Sequence, residues 1–485
     1  MGRDVRTVVR WEKEKGLPVR RLPGGKRQSV FAIAAEIDAW AAQQGVVAEE
    51  RSGLDLPPAP RDLPPEPTQR ETAPGRPRSP RPSMWVAVAA GCAVILGVAQ
   101  WGVSSMARRA DAAASAASPR KVAFDTPAGP VRFVRTGIET AARVYRVIAA
   151  DLNEDGNMDV AFTSGTGGVL GVLLGTGDGG FLPARVFQGC LYSDGIVAGD
   201  FNRDGHLDVA VACFQGNTVE VFWGRGDGTF PSHTTVALPG GPRFLAVHDF
   251  NGDGWPDLAV SSFGDGSLIL LRNERGSFVP RTFAKFEQTC VLTVADLNEG
   301  PDAELIASVR DHGRYGLAIF RGDRNRGMKF VRFLPWNEKQ QEVASLIRVA
   351  DLDGDGTPDL ITSLFNGLVL IQKGLGHGEF REPVVLAGIP RQPGGRHIAL
   401  ADVNRDGHLD LVVTDPAGQS LMLFTGDGRG EFIGPSTLVV GVAPFTPVLA
   451  DFNNDGLPDI LISAHFGDPM LLTAVGGSGA RRRED

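Results

Sequence analysis

Seven stretches of the chain set acidic and amide side chains at a spacing that can close around a hard cation. They read DLNEDGNMD (151–159), DFNRDGHLD (200–208), DFNGDGWPD (249–257), DLNEGPDAE (296–304), DLDGDGTPD (351–359), DVNRDGHLD (402–410) and DFNNDGLPD (451–459). In the shared pattern D-x-[DN]-x-D-G-x-x-D, oxygens from positions 1, 3, 5 and 9 can converge on one ion. A backbone carbonyl from position 7 joins them, and Gly at position 6 permits the sharp turn. Six copies are complete: Asp151, Asn153, Asp155, Asp159; Asp200, Asn202, Asp204, Asp208; Asp249, Asn251, Asp253, Asp257; Asp351, Asp353, Asp355, Asp359; Asp402, Asn404, Asp406, Asp410; and Asp451, Asn453, Asp455, Asp459. The fourth departs, with Gly300 at position 5 and Glu304 at position 9, which leaves Asp296, Asn298, Asp302 and Glu304 for a weaker or vacant site.

Hard oxygen donors without His or Cys favour calcium. Asp, Asn and Gly also make good hairpin turns. Turn chemistry alone does not account for six loops with at least three carboxylates each, which repel one another unless neutralised. The net charge is −8, and residues 84–485 carry −12 of it against +4 in residues 1–83. Six calcium ions would supply a matching positive charge. The loop is too short for an EF-hand and has no terminal bidentate Glu, so the expected role of the ion is to tie each hairpin together.

The elements around these loops repeat with them. Successive first aspartates lie 49, 49, 47, 55, 51 and 49 residues apart, a period much longer than one hairpin and suited to a four-stranded propeller blade. Each motif sits between short apolar runs, as in GIVAGDFN before and LDVAVACF after the second loop, followed by TVEVFWG and a GDGTF turn. The last period stops after its third strand, near 470–475, while VRFVRTG at 131–137 precedes the first motif. Pairing these two ends would seal the ring and remove an exposed edge. The expected fold is an all-β seven-bladed propeller over 131–476, followed by a disordered tail at 477–485.

Motif, period and the turns at Gly180-Phe181, Thr229-Phe230 and Glu379-Phe380 resemble the FG-GAP/VCBS family, the propeller unit of integrin alpha subunits and many bacterial surface proteins. The resemblance spans about residues 131–476. It implies a calcium-stabilised propeller used for adhesion or for recognising a protein or glycan ligand.

Upstream, the composition changes three times. Residues 53–83 hold ten prolines among polar residues, so 46–83 reads as a stiff disordered linker. MWVAVAAGCAVILGVAQWGV (84–103) is uncharged and long enough to cross a bilayer as a helix, with Trp85 and Trp101 near its ends. Residues 104–130 read as a flexible stalk. Flanking charges do not orient the span: Arg70, Arg76, Arg78 and Arg81 are matched by Arg108, Arg109, Arg120 and Lys121. Low-affinity calcium loops suit extracellular calcium, which puts the N-terminus in the cytoplasm and the propeller in the periplasm or outside the cell.

Residues 3–27 carry a local charge of +6, enough to neutralise several phosphates. The run RTVVRWEKEKGLPVRR followed by LPGGKRQSVFAIAAEIDAW reads as helix, short hairpin around Pro23-Gly24-Gly25, and helix. It resembles the winged helix-turn-helix of the excisionase and MerR-like families, a small α+β domain over 1–45 that lacks the helix preceding the recognition helix. The resemblance implies that Arg6, Thr7 and Arg10 face the major groove of DNA and that Lys26 and Arg27 touch backbone. Docking of this basic domain on anionic lipid or protein is the alternative.

Other features are discounted. Arg225-Gly226-Asp227 falls where GTGDG and FTGDG turns recur, and reads as a turn. His206 and His408 sit at position 7, where the backbone rather than the imidazole is expected to coordinate. Cys190 can reach Cys213 in an oxidising compartment, but buried thiols are the default expectation for Cys190, Cys213 and Cys290. No nucleophile elbow, phosphate loop or dinucleotide fingerprint occurs, so an enzyme is not expected. A polysaccharide lyase or hydrolase is the remaining catalytic alternative, and a membrane-tethered DNA-binding regulator the other non-adhesive one.

Overall fold

The computed structural model describes residues 20–21, 30–31 and 120–475, apart from 128, 141–142, 166, 191, 298–302, 324–326, 337–339 and 465–466. The proline-rich linker, the 84–103 span and the 477–485 tail lie outside the described residues. So do Arg6, Thr7, Arg10, Lys26, Arg27, Asn298 and Asp302. No helix among the described residues is long and apolar enough to cross a membrane. Two compact units divide the chain, 1–81 and 82–485. In the first, Arg20–Arg21 pairs antiparallel with Val30–Phe31 across the stretch that contains Pro23-Gly24-Gly25.

The second unit is a seven-bladed propeller. Blade 2 shows why these residues form these strands. Its inner strand, Ser193–Gly199, is followed by Asp208–Cys213, Thr218–Trp223 and Ser232–Ala237, paired antiparallel in sequence order. The second strand, DVAVAC, is buried throughout, because both faces of a central propeller strand meet neighbouring blades. The outer strand, SHTTVA, buries only Val236. Apolar content therefore falls outward across the blade.

Seven hydrophobic clusters among the described residues each lie between consecutive blades. The cluster between blades 1 and 2 joins Leu170 and Val172 to Val209, Val211 and Phe222. The one that closes the ring joins Val160 and Phe162 of blade 1 to Phe452, Leu461 and Leu471 of blade 7. Closure is also made by strand pairing: Gly129–Gly137, from the start of the propeller, pairs antiparallel with Gly467–Ala474 from its end, as Met470↔Gly137 through Ala474↔Phe133. This is the pairing the truncated last period requires.

Two features depart from the sequence reading. Arg120–Thr126, expected within the flexible stalk, is a strand paired with Gly129–Gly137, so blade 7 has five strands. Phe124 makes it part of the fold, packing fully buried against Phe133 with ring centroids 6.0 Å apart. The expected buried thiols at Cys190 and Cys213 are instead a disulfide, with Cα atoms 5.7 Å apart. It links the approach to blade 2's inner strand to the end of its second strand. Among the described residues Cys290 alone is a free buried thiol.

Candidate functional site

Each acidic loop joins the inner strand of a blade to its second strand, and the loop is stitched by its own side chains. Position 9 opens the second strand and is buried. In five complete loops its Oδ2 accepts the position-2 amide, and its Oδ1 accepts an amide just past the third strand or at its end. For Asp159 these are Leu152 and Gly175, at 2.8 and 2.7 Å; for Asp208, Phe201 and Gly224, at 2.9 and 2.8 Å. In the third loop Asp257 Oδ1 accepts the Asn273 amide at 2.7 Å. Position 1 accepts the amide of the position-6 glycine, at 2.7–3.0 Å across the six loops. Position 5 accepts the position-7 amide at 2.7–2.9 Å.

The turn needs left-handed backbone at position 4 as well as at position 6. Glycines meet the requirement at position 6, with φ from 79° to 93°. At position 4 it falls on Glu154, Arg203, Arg405 and Asn454, with φ of 57–66°, and on glycine in the third and fifth loops. These position-4 side chains also reach position 7 or its neighbour in the next loop. Glu154 pairs with His206 at 2.6 Å, Arg203 lies over Trp255, Arg405 reaches the Gly456 carbonyl and Asn454 donates to Asn157 at 2.8 Å. The loops thereby form a partial belt at one end of the inner strands.

The donor set fits a hard cation. Carboxylate oxygens retain lone pairs beyond the amide bonds they accept. Asp351, Asp353 and Asp359 bring one oxygen each to within 4.8 Å of one another. Asp355 is not part of that group, and the other complete loops have Asn at position 3. Asp353 Oδ1 and Asp257 Oδ2 are buried without a hydrogen bond. Burial, with added repulsion from position 5 and, for all but Asp410, from position 1, pushes the carboxyls of Asp208, Asp410 and Asp459 up to about 6 and that of Asp257 up to about 7. Asp159 and Asp359 shift upward for the same first cause. Burial is the larger cause of each shift and like charge the smaller; in the fifth loop Lys373 Nζ lies 3.3 Å from Asp353 Oδ2.

The fourth loop solves the same problem with a side chain. Glu304 is buried, its Oε2 accepts the Leu297 amide at 3.0 Å, and its Oε1 accepts from Arg321 Nε at 2.8 Å and Nη2 at 2.7 Å. Of its other predicted ligands, Asp296 lies at the end of the inner strand, and Asn298 and Asp302 are outside the described residues. The Arg225-Gly226-Asp227 segment is a turn, with Asp227 Oδ1 accepting the Thr229 amide at 2.9 Å.

A second cluster, absent from the sequence reading, lies at the opposite ends of the inner strands. Arg146 precedes the inner strand of blade 1. It donates through Nε and Nη2 to Asp194 Oδ1 of blade 2, at 3.1 and 3.0 Å, and through Nη1 to His397 Nδ1 before blade 6, at 3.2 Å. Its guanidinium lies 5.1 Å from the ring centre of Phe244 in blade 3 and 4.8 Å from that of Phe445 in blade 7. Arg243 of blade 3 pairs with the other oxygen of Asp194 and lies over Phe263 and Phe365. Burial pushes the Asp194 carboxyl up, but Arg243 and Arg146 outweigh it and hold it below the usual range. The sequence signal was a charged or aromatic residue five or six places before five of the seven first aspartates, all but Asp296 and Asp351, at the mouth of an otherwise apolar run.

The FG-GAP-like repeat model matches residues 151–211, 200–260, 351–413 and 402–462. The chain therefore carries FG-GAP-like repeats within a seven-bladed β-propeller. No curated protein matches the chain in sequence. Among solved structures, BBS1N in complex with ARL6DN, soaked with lead, is similar at 14% identity and a TM-score of 0.49, covering 74% of this chain and 99% of that one. The mercury-soaked crystal of the same complex gives 13% and 0.48, covering 70% and 94%. A protein from Lactobacillus plantarum gives 15% and 0.43, covering 66% and 96%.

Proposed function

We propose that this protein is a calcium-stabilised recognition propeller, tethered to a membrane through residues 84–103 and facing the periplasm or the cell exterior, where it binds a protein or glycan. The observation that carries the calcium reading is the buried position-9 carboxylate with raised proton affinity, repeated in six loops beside two or three further carboxylates. In each complete loop positions 1, 3, 5 and 9 would hold the ion: in the second, Asp200, Asn202, Asp204 and Asp208. A bound cation supplies the positive charge these oxygens lack, and the chain's own amides keep the loop in shape for it. The Cys190–Cys213 disulfide supports the extracytoplasmic placement, since such bonds persist in oxidising compartments.

The reading is of a binding protein rather than an enzyme. It is tested by melting the full chain in detergent with millimolar calcium and with excess chelator. A ligand that binds only the folded state raises the midpoint; equal midpoints would leave the loops as mere turns. A second reading, a DNA-binding regulator, draws on the local +6 of residues 3–27. Failure of the full chain to shift duplex DNA at low salt would remove it.

A further inference from the structure

The axial cluster carries more positive charge than it neutralises. Arg146 touches residues of blades 2, 3, 6 and 7 from blade 1, which places its guanidinium at the centre of the ring. Arg348, on the inner strand of blade 5, makes one hydrogen bond, from Nη1 to the neighbouring Ile347 carbonyl at 3.2 Å. It lies close enough to Arg146 for the two to repel. Together with burial, which is the larger cause, this lowers its proton affinity to about 10.

Against Arg146, Arg243 and Arg348 stands one carboxylate, Asp194. The other polar groups of the cluster do not offset them. Burial drives the Tyr145 phenol up to about 12 and the Cys290 thiol up to about 11, so both are neutral. His397 Nδ1 faces a guanidinium N–H, which can only donate, so that nitrogen accepts, and the imidazole brings no negative charge to the cluster. Among the described residues no acidic side chain pairs with Arg348. Two guanidinium charges thus remain uncompensated inside the ring, and unpaired charge withdrawn from bulk water is costly.

We propose that this axial end of the propeller binds a dianionic oxyanion, a sulfate or phosphate group, with Arg348 as its principal donor and Arg146 and Arg243 held in place by Asp194. This deepens the recognition reading, on which it rests, by naming where recognition occurs and by what chemistry. The charge imbalance selects a dianion over a monoanion, and guanidinium geometry suits tetrahedral oxyanions. Half-buried Tyr145, Phe244, Phe263, Phe365 and Phe445 surround the cluster.

The test uses the full chain in detergent and millimolar calcium, at constant ionic strength. Melting is followed while sulfate, acetate or glucose 6-phosphate replaces chloride. Sulfate is expected to raise the midpoint saturably and acetate to leave it within error. Arg348→Gln is expected to melt no lower than the parent without sulfate, and to need at least tenfold more sulfate for the same rise. Arg405→Gln, on the loop belt, should respond like the parent. A rise with glucose 6-phosphate as well upholds the site for a group carried on a sugar, and a rise with sulfate alone upholds it for the free ion. Equal rises with sulfate and acetate, no saturation, or an unchanged response in Arg348→Gln would overturn the proposal. The calcium-dependent melting shift is independent of these outcomes, so the anion site can fail while the recognition reading stands. Should Arg348→Gln not fold, the sulfate-against-acetate difference in the parent still decides.

Discussion

The second and fourth acidic loops occupy the same place in their blades and meet the same difficulty by different means. In both, a buried carboxylate at the head of the second strand accepts the position-2 amide and anchors the hairpin. Asp208 gives its other oxygen to the neutral Gly224 amide, and its proton affinity rises. Glu304, longer by one methylene, reaches Arg321 instead and gains a cation from its own chain. Asp208 keeps two further carboxylates beside it, Asp200 and Asp204, whereas the fourth loop has Gly300 at position 5. The difference teaches that the acidic loop is two devices in one. Position 9 is a structural pin whichever way its charge is met, while positions 1, 3 and 5 shape the turn through the amides they accept and, on the calcium reading, would also face the ion.

Calcium removal tests the comparison most severely. At calcium ten times above each dissociation constant, one site contributes about 1.4 kcal/mol and six contribute about 8 kcal/mol. For a domain of this size the midpoint should fall by roughly 10 °C in chelator, as measured by calorimetry. Titration should return about six sites rather than seven, with the fourth loop silent; a seventh equivalent site would break the contrast.

Separating pin from ligand comes next in size. Asp208→Ala strands two buried amides and should cost about 2–4 kcal/mol with or without calcium. Asp204→Ala, at an exposed position, should cost about 1–2 kcal/mol in calcium and little in chelator. Denaturation of both variants under both conditions gives the four values. Similar calcium dependence in the two would mean that position 9 acts only through the metal.

Arg321→Gln sharpens the fourth loop's side of the comparison. It leaves Glu304 buried without its cation, and because Arg321 is nearly half exposed the expected loss is about 1–2 kcal/mol, less than for a fully buried pair. Calcium stoichiometry should not change. The smallest effect concerns loop shape. Arg405→Gly relieves a left-handed backbone of φ 66° at the cost of a long contact to Gly456, and should change stability by less than about 1 kcal/mol, in the stabilising direction.

The sequence alone determined the repeat, the blade count, the ring closure and the acidic loops, because all four are local patterns repeated at a fixed period. Each copy of D-x-[DN]-x-D-G-x-x-D specifies its own turn, through Asx hydrogen bonds to amides two to five residues away. The truncated last period demanded a strand from the other end, and Val131 to Gly137 supplies it. Tertiary structure decided what no local pattern encodes. Arg120–Thr126 joins blade 7 because Phe124 finds Phe133 and the blade 6 core, well removed from it in the chain. Cys190 meets Cys213 because blade 2's strands bring them together. Arg321 neutralises Glu304 from the third strand, 17 residues on. The axial cluster is the furthest from sequence view: Arg146 and His397 lie 251 residues apart, and only the closing of seven blades around one axis sets their side chains side by side.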